Sequence, residues 1–173
     1  MTGDGIVEVS DPSQLFVSGA TTPVSGTCIT VAVEGRRALI AEIQALVVKS
    51  STPQPRRVTN GVDSSRVAML LAVLERRAGI SLSDKDVYVS TVGGMKIIEP
   101  AADLAIAIAI ASAVSDKPVA KSVAAFGEIS LSGEIRGVSN PAQRSNEATR
   151  LGHKAIVDSS SGQLKVALAK ALG

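Results

Sequence analysis

The sequence predicts an α/β fold, a mixed sheet with helices laid mainly on one side. Three observations carry that expectation. Segments alternating polar and apolar at strand period are interleaved with helical stretches, one amphipathic and one apolar all round. The core-forming residues are Ala, Val, Ile and Leu, with only two Phe, one Tyr and no Trp, and these shapes suit helices packed on a sheet. The chain has 173 residues, enough for one domain that buries about two-thirds of its unfolded surface.

In order along the chain, Ser10 caps a short helix with Pro12 in its first turn, leading through Gln14, Leu15 and Phe16. This helix lies in a connecting segment, 1–22, ahead of a domain covering 23–173. Residues 27–33 alternate, Glu34-Gly35 turns, and 36–48 returns, which predicts a long hairpin. A loop with two prolines over 50–55 ends where Arg56-Arg57-Val58 resumes extended structure. Asp63 caps a helix over 64–78 whose Val67, Leu70, Leu71 and Leu74 form one stripe, and Gly79 ends it. Residues 86–92 alternate as a strand and close on Gly93-Gly94. After Pro100, residues 101–114 hold only Asp103 and Ser112 as polar groups. Ile106, Ile108 and Ile110 alternate with Ala at strand period, yet length, alanine content, Pro100 at the first position and Asp103 in the first turn favour a buried helix. A second hairpin is expected from 124–129 and 134–138 around Ser132-Gly133. Asn140-Pro141 opens a helix to 151, Gly152 stops it, 154–157 is a short strand, and a terminal helix reaches Leu172.

Composition excludes several function classes. The single Cys28 rules out an intramolecular disulfide and a multi-cysteine zinc site. There is no charged-then-apolar leader, and the apolar run over 104–114 is too short to span a bilayer, so the chain is expected to be soluble, cytoplasmic and without a membrane partner. A net charge of +2 does not by itself point to nucleic acid, and the scarcity of aromatic residues disfavours base stacking on a single strand. Gly93-Gly94 lacks the Gly-Lys-Ser/Thr ending of a phosphate loop. His153 has no acidic neighbour in sequence and is expected at a surface or a cap.

The most informative stretch is Gly93-Gly94-Met95-Lys96-Ile97-Ile98-Glu99-Pro100-Ala101-Ala102-Asp103: a glycine turn, a short strand and a helix start. A buried helix entered from such a turn is a common seat for a nucleophile or an anion site. Here the first helical turn offers two alanines.

This stretch, followed by Phe126-Gly127-Glu128-Ile129, Leu131, Gly133-Glu134-Ile135-Arg136 and then 140–144, resembles the proteolytic domain of Lon peptidases, a ribosomal-protein-S5-domain-2-like fold. The resemblance lays the catalytic serine position on Ala101 and the lysine position on Arg144, and the glycines flanking the serine on Glu99 and Asp103. Alanine has no hydroxyl to attack with, and an arginine stays protonated, so the dyad is degenerate. Ser112, Ser122, Ser130 and Ser132 are the alternative hydroxyls. Together with 8–13, Pro55-Arg56-Arg57, Asn60-Gly61, Asp63, Arg66, 71–75 and 99–105, the chain is similar to the C-terminal part of the RadA (Sms) family of bacterial DNA repair proteins.

That resemblance implies a domain, itself not an enzyme, that builds a homo-hexameric ring and offers a positive surface to double-stranded DNA during branch migration. Recombinase or replication proteins are further partners it allows. It implies no cofactor in this stretch, with ATP, Mg and Zn expected only in an N-terminal part that precedes it in the family. Lys96, Arg136, Arg56, Arg57 and Arg144 are the candidate DNA contacts. Arg56 and Arg57 serve equally as a solvated loop or a subunit salt bridge, and Glu99, Asp103 and Glu134 offer Lys96, Arg136 and Arg144 an ordinary ion-pair network instead. A residual peptidase and a protein-docking platform without DNA contact are the other readings.

Overall fold

In a computed structural model, residues 16–19 and 22–173 are described. The chain runs β1 Thr27–Glu34, β2 Arg37–Lys49, β3 Arg57–Asn60, α1 Ser64–Ala78, β4 Lys85–Thr91, α2 Asp103–Ser115, β5 Val123–Ala125, β6 Glu128–Ile129, β7 Ile135–Arg136, α3 Pro141–Arg150, β8 Ala155–Val157 and α4 Leu164–Leu172. Six strands form one sheet in the order β3-β4-β2-β1-β5-β8, and β6 and β7 form a separate ribbon. The sheet is mixed: β1 and β4 run antiparallel to β2, while β3/β4, β1/β5 and β5/β8 are parallel.

Strand alternation splits the first hairpin between two faces. Cys28, Ala32, Ala41 and Ile43 enter the larger core, which α1, α2 and α4 cover, whereas Ile29, Val31 and Ile40 point the other way and meet Ala148 of α3. Three helices therefore share one face, and α3 alone crosses the other.

The apolar stretch after Pro100 is a helix, and every residue from Asp103 to Ser112 is buried. It lies between the β1/β2 part of the sheet and the pair α1 and α4. A helix enclosed on all sides has no polar face, which is why its sequence lacks the amphipathic period and mimics a strand. Asp63 caps α1 by accepting from the Ser65 N–H, and Gly79 closes it in the left-handed region at φ 69°.

Two expectations need correction. The second hairpin forms around Ser132-Gly133 but is short, Glu128–Ile129 against Ile135–Arg136, because the chain leaves the six-stranded sheet at Gly127, whose N–H donates to the Ala101 carbonyl and whose carbonyl accepts from the Leu104 N–H. A Cβ there would stand 2.7 Å from Ile135 Cγ2, so glycine is required for this close approach. The short strand expected after Gly94 is reduced to a single bridge between Val62 and Ile97. The Ser10–Pro12 helix start and most of the 1–22 segment lie outside the described residues. Among the described residues, no helix is long and apolar enough to cross a membrane.

Candidate functional site

The 93–103 stretch is held from three sides. Gly93 at φ 76° and Gly94 at φ 74° turn the chain back, and the Ile97 N–H donates to the Gly61 carbonyl at 2.7 Å. Gly61, at φ +86°, lies so close to the turn that a Cβ would come within 2.2 Å of Thr91 Oγ1 and 2.6 Å of the Met95 carbonyl. The Glu99 carboxylate then reaches the end of β1, where it accepts from the Val33 N–H at 3.2 Å.

On either side of Ala101 stands a forked ion pair. Arg144, on α3 and fully buried, grips both oxygens of Glu99, Nη1 to Oε1 at 2.6 Å and Nη2 to Oε2 at 3.1 Å. Its remaining donors go to the carbonyls of Val31 (2.7 Å) and Ser139 (2.8 Å) and to Ser139 Oγ (3.3 Å). Two residues after Ala101, Asp103 is gripped by Arg66 of α1, whose Nε and Nη2 donate to the two carboxylate oxygens, and it also accepts from the Ile129 N–H at 3.1 Å. Burial pushes the Asp103 carboxyl up from its ordinary range against the pull of Arg66 and of the Ile129 N–H. The hydrogen bond to Asp103 raises the Arg66 guanidinium further. Fully satisfied bidentate pairs of this kind hold elements in register: the first ties α3 and β1 to the turn, the second ties α1 and β6 to the start of α2.

Of the candidate DNA contacts, Arg144 takes the ion-pair alternative, on Glu99. Arg144 is inside the domain with its donors engaged, so it does not present charge to a surface. Arg57 extends from the sheet edge but donates to the carbonyls of Lys85 and Leu82, closing the loop before β4. Lys96, Arg56 and Arg136 are exposed, and their side chains make no hydrogen bond or ion pair among the described residues. They do not share a pocket. Lys96 borders a depression with Gly61, Val62, Asp63 and Ile98, whereas Arg136 lines a small cleft with Pro141, Asp158 and Ser159 and stands opposite Glu128 across the β6/β7 ribbon.

Sequence reasoning missed Arg66, Arg36 and Arg37. The last two are exposed at the β1/β2 tip, and Gln143 of α3 donates to the Arg36 carbonyl at 2.7 Å. The tip, the Glu99 turn and the start of α3 thus meet where β1 stops. The Glu34-Gly35 turn was the available signal for an exposed arginine pair; nothing local places it beside α3, 107 residues away.

Among the alternative hydroxyls, Ser112 is buried and committed, accepting from the Gly26 N–H at 2.9 Å and donating to the Lys117 carbonyl at 2.5 Å. Ser130 and Ser132 hydrogen-bond each other in an exposed turn. No Lys or His side chain hydrogen-bonds any of the three. Among the described residues, no group of His, Cys, Asp and Glu is placed to hold a metal ion. His153 is half-buried, with Nδ1 2.5 Å from the Lys121 carbonyl.

A family model described as subunit ChlI of Mg-chelatase matches residues 63–161, more than half of the chain. The chain is 46% identical over 157 residues to the DNA repair protein RadA of Rickettsia felis, covering 91% of this chain and 35% of that protein. It is 46% identical over 149 residues to RadA of Mycobacterium tuberculosis H37Rv (86% and 31%). It is 45% identical over 152 residues to RadA of Streptococcus pyogenes MGAS315 (88% and 34%). The chain spans about a third of the length of these curated relatives. The expectation of a chain that is not an enzyme is overturned by the family match, since that family is described as a subunit of Mg-chelatase. With residues 63–161 matched, the chain belongs to the family described as subunit ChlI of Mg-chelatase, and its homologues over most of its length are DNA repair proteins named RadA.

Proposed function

We propose that this chain is the part of a RadA-type DNA repair and recombination ATPase that assembles copies into a homo-hexameric ring and binds duplex DNA during branch migration. Its scaffold is Lon-proteolytic-domain-like, with the Ser-Lys positions occupied by Ala101 and Arg144. The observation that carries the reading is the contrast between the two sets of cations. Arg144 and Arg66 are engaged on Glu99 and Asp103, which leaves Lys96, Arg136 and Arg56, with Arg36 and Arg37 at the hairpin tip, exposed for phosphate oxygens. Peptidase chemistry finds no support at Ala101, which has no hydroxyl. ATP finds no cradle at Gly93-Gly94, since the turn has no following Lys-Ser/Thr and Ile97 after it is bonded to Gly61 and bridged to Val62, just past β3. Recombinase or replication proteins are further partners of such a ring.

Duplex binding by fluorescence anisotropy across a salt series tests the reading. Each phosphate contact contributes about 0.9 to the negative slope of log affinity against log salt. Lys96→Glu with Arg136→Glu is expected to lower affinity and flatten that slope by about 2. A chain that sediments as a monomer at all concentrations and leaves duplex DNA unbound at low salt would sink both halves of the proposal.

A further inference from the structure

A second site lies on the sheet face that α3 leaves open. At the edge of that face is a cavity of about 230 Å³ bordered by Val17, Pro23, Val24, Ile29 and Val119. At its wall stands Glu42, only 5% exposed. Among the described residues the carboxylate of Glu42 is met by neutral donors only: the Ser18 N–H at 3.3 Å and the Ser18 hydroxyl at 3.1 Å on Oε1, and the Gln44 amide at 2.9 Å on Oε2.

That makes Glu42 an exception in this molecule, where Glu99 and Asp103 are each gripped by an arginine fork. A buried carboxylate without a counter-ion is costly. Among the described residues no Lys, Arg or His forms an ion pair with Glu42. Besides Glu42, the charged and titratable residues lining the cavity are Lys121 and His153; Cys28 lines it as well, with its side chain packed into the larger core on the other side of the sheet. The His153 ring has Nδ1 2.5 Å from the Lys121 carbonyl.

We propose that this cavity binds a cationic group carried on a short apolar stem, an alkylguanidinium or alkylammonium, with Glu42 as its counter-ion and the Val17, Ile29 and Val119 walls around the stem. The size favours a ligand below drug size, since drug-sized pockets run from about 300 Å³ upward. One chemistry has two sources, a free small amine or a basic side chain of another copy of the chain. The site is independent of the DNA reading, and its failure leaves that reading intact.

The probe is n-butylguanidinium, titrated into the full chain while amide resonances of Cys28, Val119 and Ala120 are followed by NMR. Saturable shifts at about millimolar concentration are expected, with n-pentanol at least about tenfold weaker. Glu42→Gln keeps an oxygen for Ser18 and is expected to weaken binding about tenfold or more. Ala120→Trp, at the exposed mouth, blocks entry without touching the core. Sedimentation distinguishes the sources: association that Glu42→Gln and butylguanidinium both reverse marks a neighbouring copy's side chain, and unchanged sedimentation marks a free amine. Equal binding to wild type and Glu42→Gln overturns the proposal. So does a wild type that fails to bind where Lys121→Met binds, because Lys121 would then be the internal counter-ion.

Discussion

Breaking the Glu99–Arg144 fork tests whether the turn around Ala101 is held by charge or merely decorated with it. Arg144→Met leaves the Glu99 carboxylate with the Val33 N–H but no cation, and takes the guanidinium donors from the Val31 and Ser139 carbonyls; Glu99→Gln leaves the guanidinium fully buried and short of its anion. Removing one member of a buried pair costs about 3–5 kcal/mol. Because the Glu99 side chain is 26% exposed, water relieves part of this, and about 2–4 kcal/mol is expected for each single variant. For a chain of this size that is a fall in Tm of about 4–16 °C. Arg144→Lys, which restores the charge but not the fork, should lie between wild type and Arg144→Met. The assay is denaturant unfolding of the two single variants and the double variant, with Tm by calorimetry alongside. A coupling of about 1–3 kcal/mol in the cycle is expected, the double variant being less damaged than the sum of the singles. Single variants within about 0.5 kcal/mol of wild type, or strictly additive costs, would refute the claim that this pair holds α3 and β1 to the turn.

Two further expectations follow from the same geometry. Burial, with a smaller contribution from Glu42, pushes the Cys28 thiol from 9.0 up to about 12, so the folded protein should resist thiol-specific reagents at pH 8 and react on unfolding. Its raised pKa gives stability that is whole below pH 9 and lost as pH rises toward 12; between these the unfolded state releases the proton first, and Cys28→Ala should remove a decline of about 1.4 kcal/mol per pH unit. Gly61→Ala places a Cβ 2.2 Å from Thr91 Oγ1 at φ +86°, and a loss of about 2–4 kcal/mol in unfolding free energy is expected; a loss below about 1 kcal/mol would show that the turn yields easily.

Local chemistry determined much by itself. The Asp63 cap, the 67/70/71/74 stripe and Gly79 specify α1 because caps, stripes and left-handed stops act within a few residues. Strand alternation likewise specified the first hairpin and β4, and the lack of polar groups after Pro100 marked a buried helix whatever its period. It was the resemblance to a known family, not local chemistry, that laid a serine position on Ala101 and a lysine position on Arg144. What lay beyond the sequence was which charges cancel. Glu99 and Arg144 are 45 residues apart, Arg66 and Asp103 37, and ion pairing between such positions depends on strand order and on the face each helix takes. The same holds for the departure of the chain at Gly127, dictated by the start of α2, and for Glu42, which reads as an ordinary outward residue of an alternating strand. The approach of Val17 and Ser18, distant in sequence, helps make it a buried anion. Residue type and local period determine the elements; the partners of each charge are decided by contacts distant in sequence, because a Coulomb interaction or a forked hydrogen bond acts over a few ångströms of space and carries no signature along the chain.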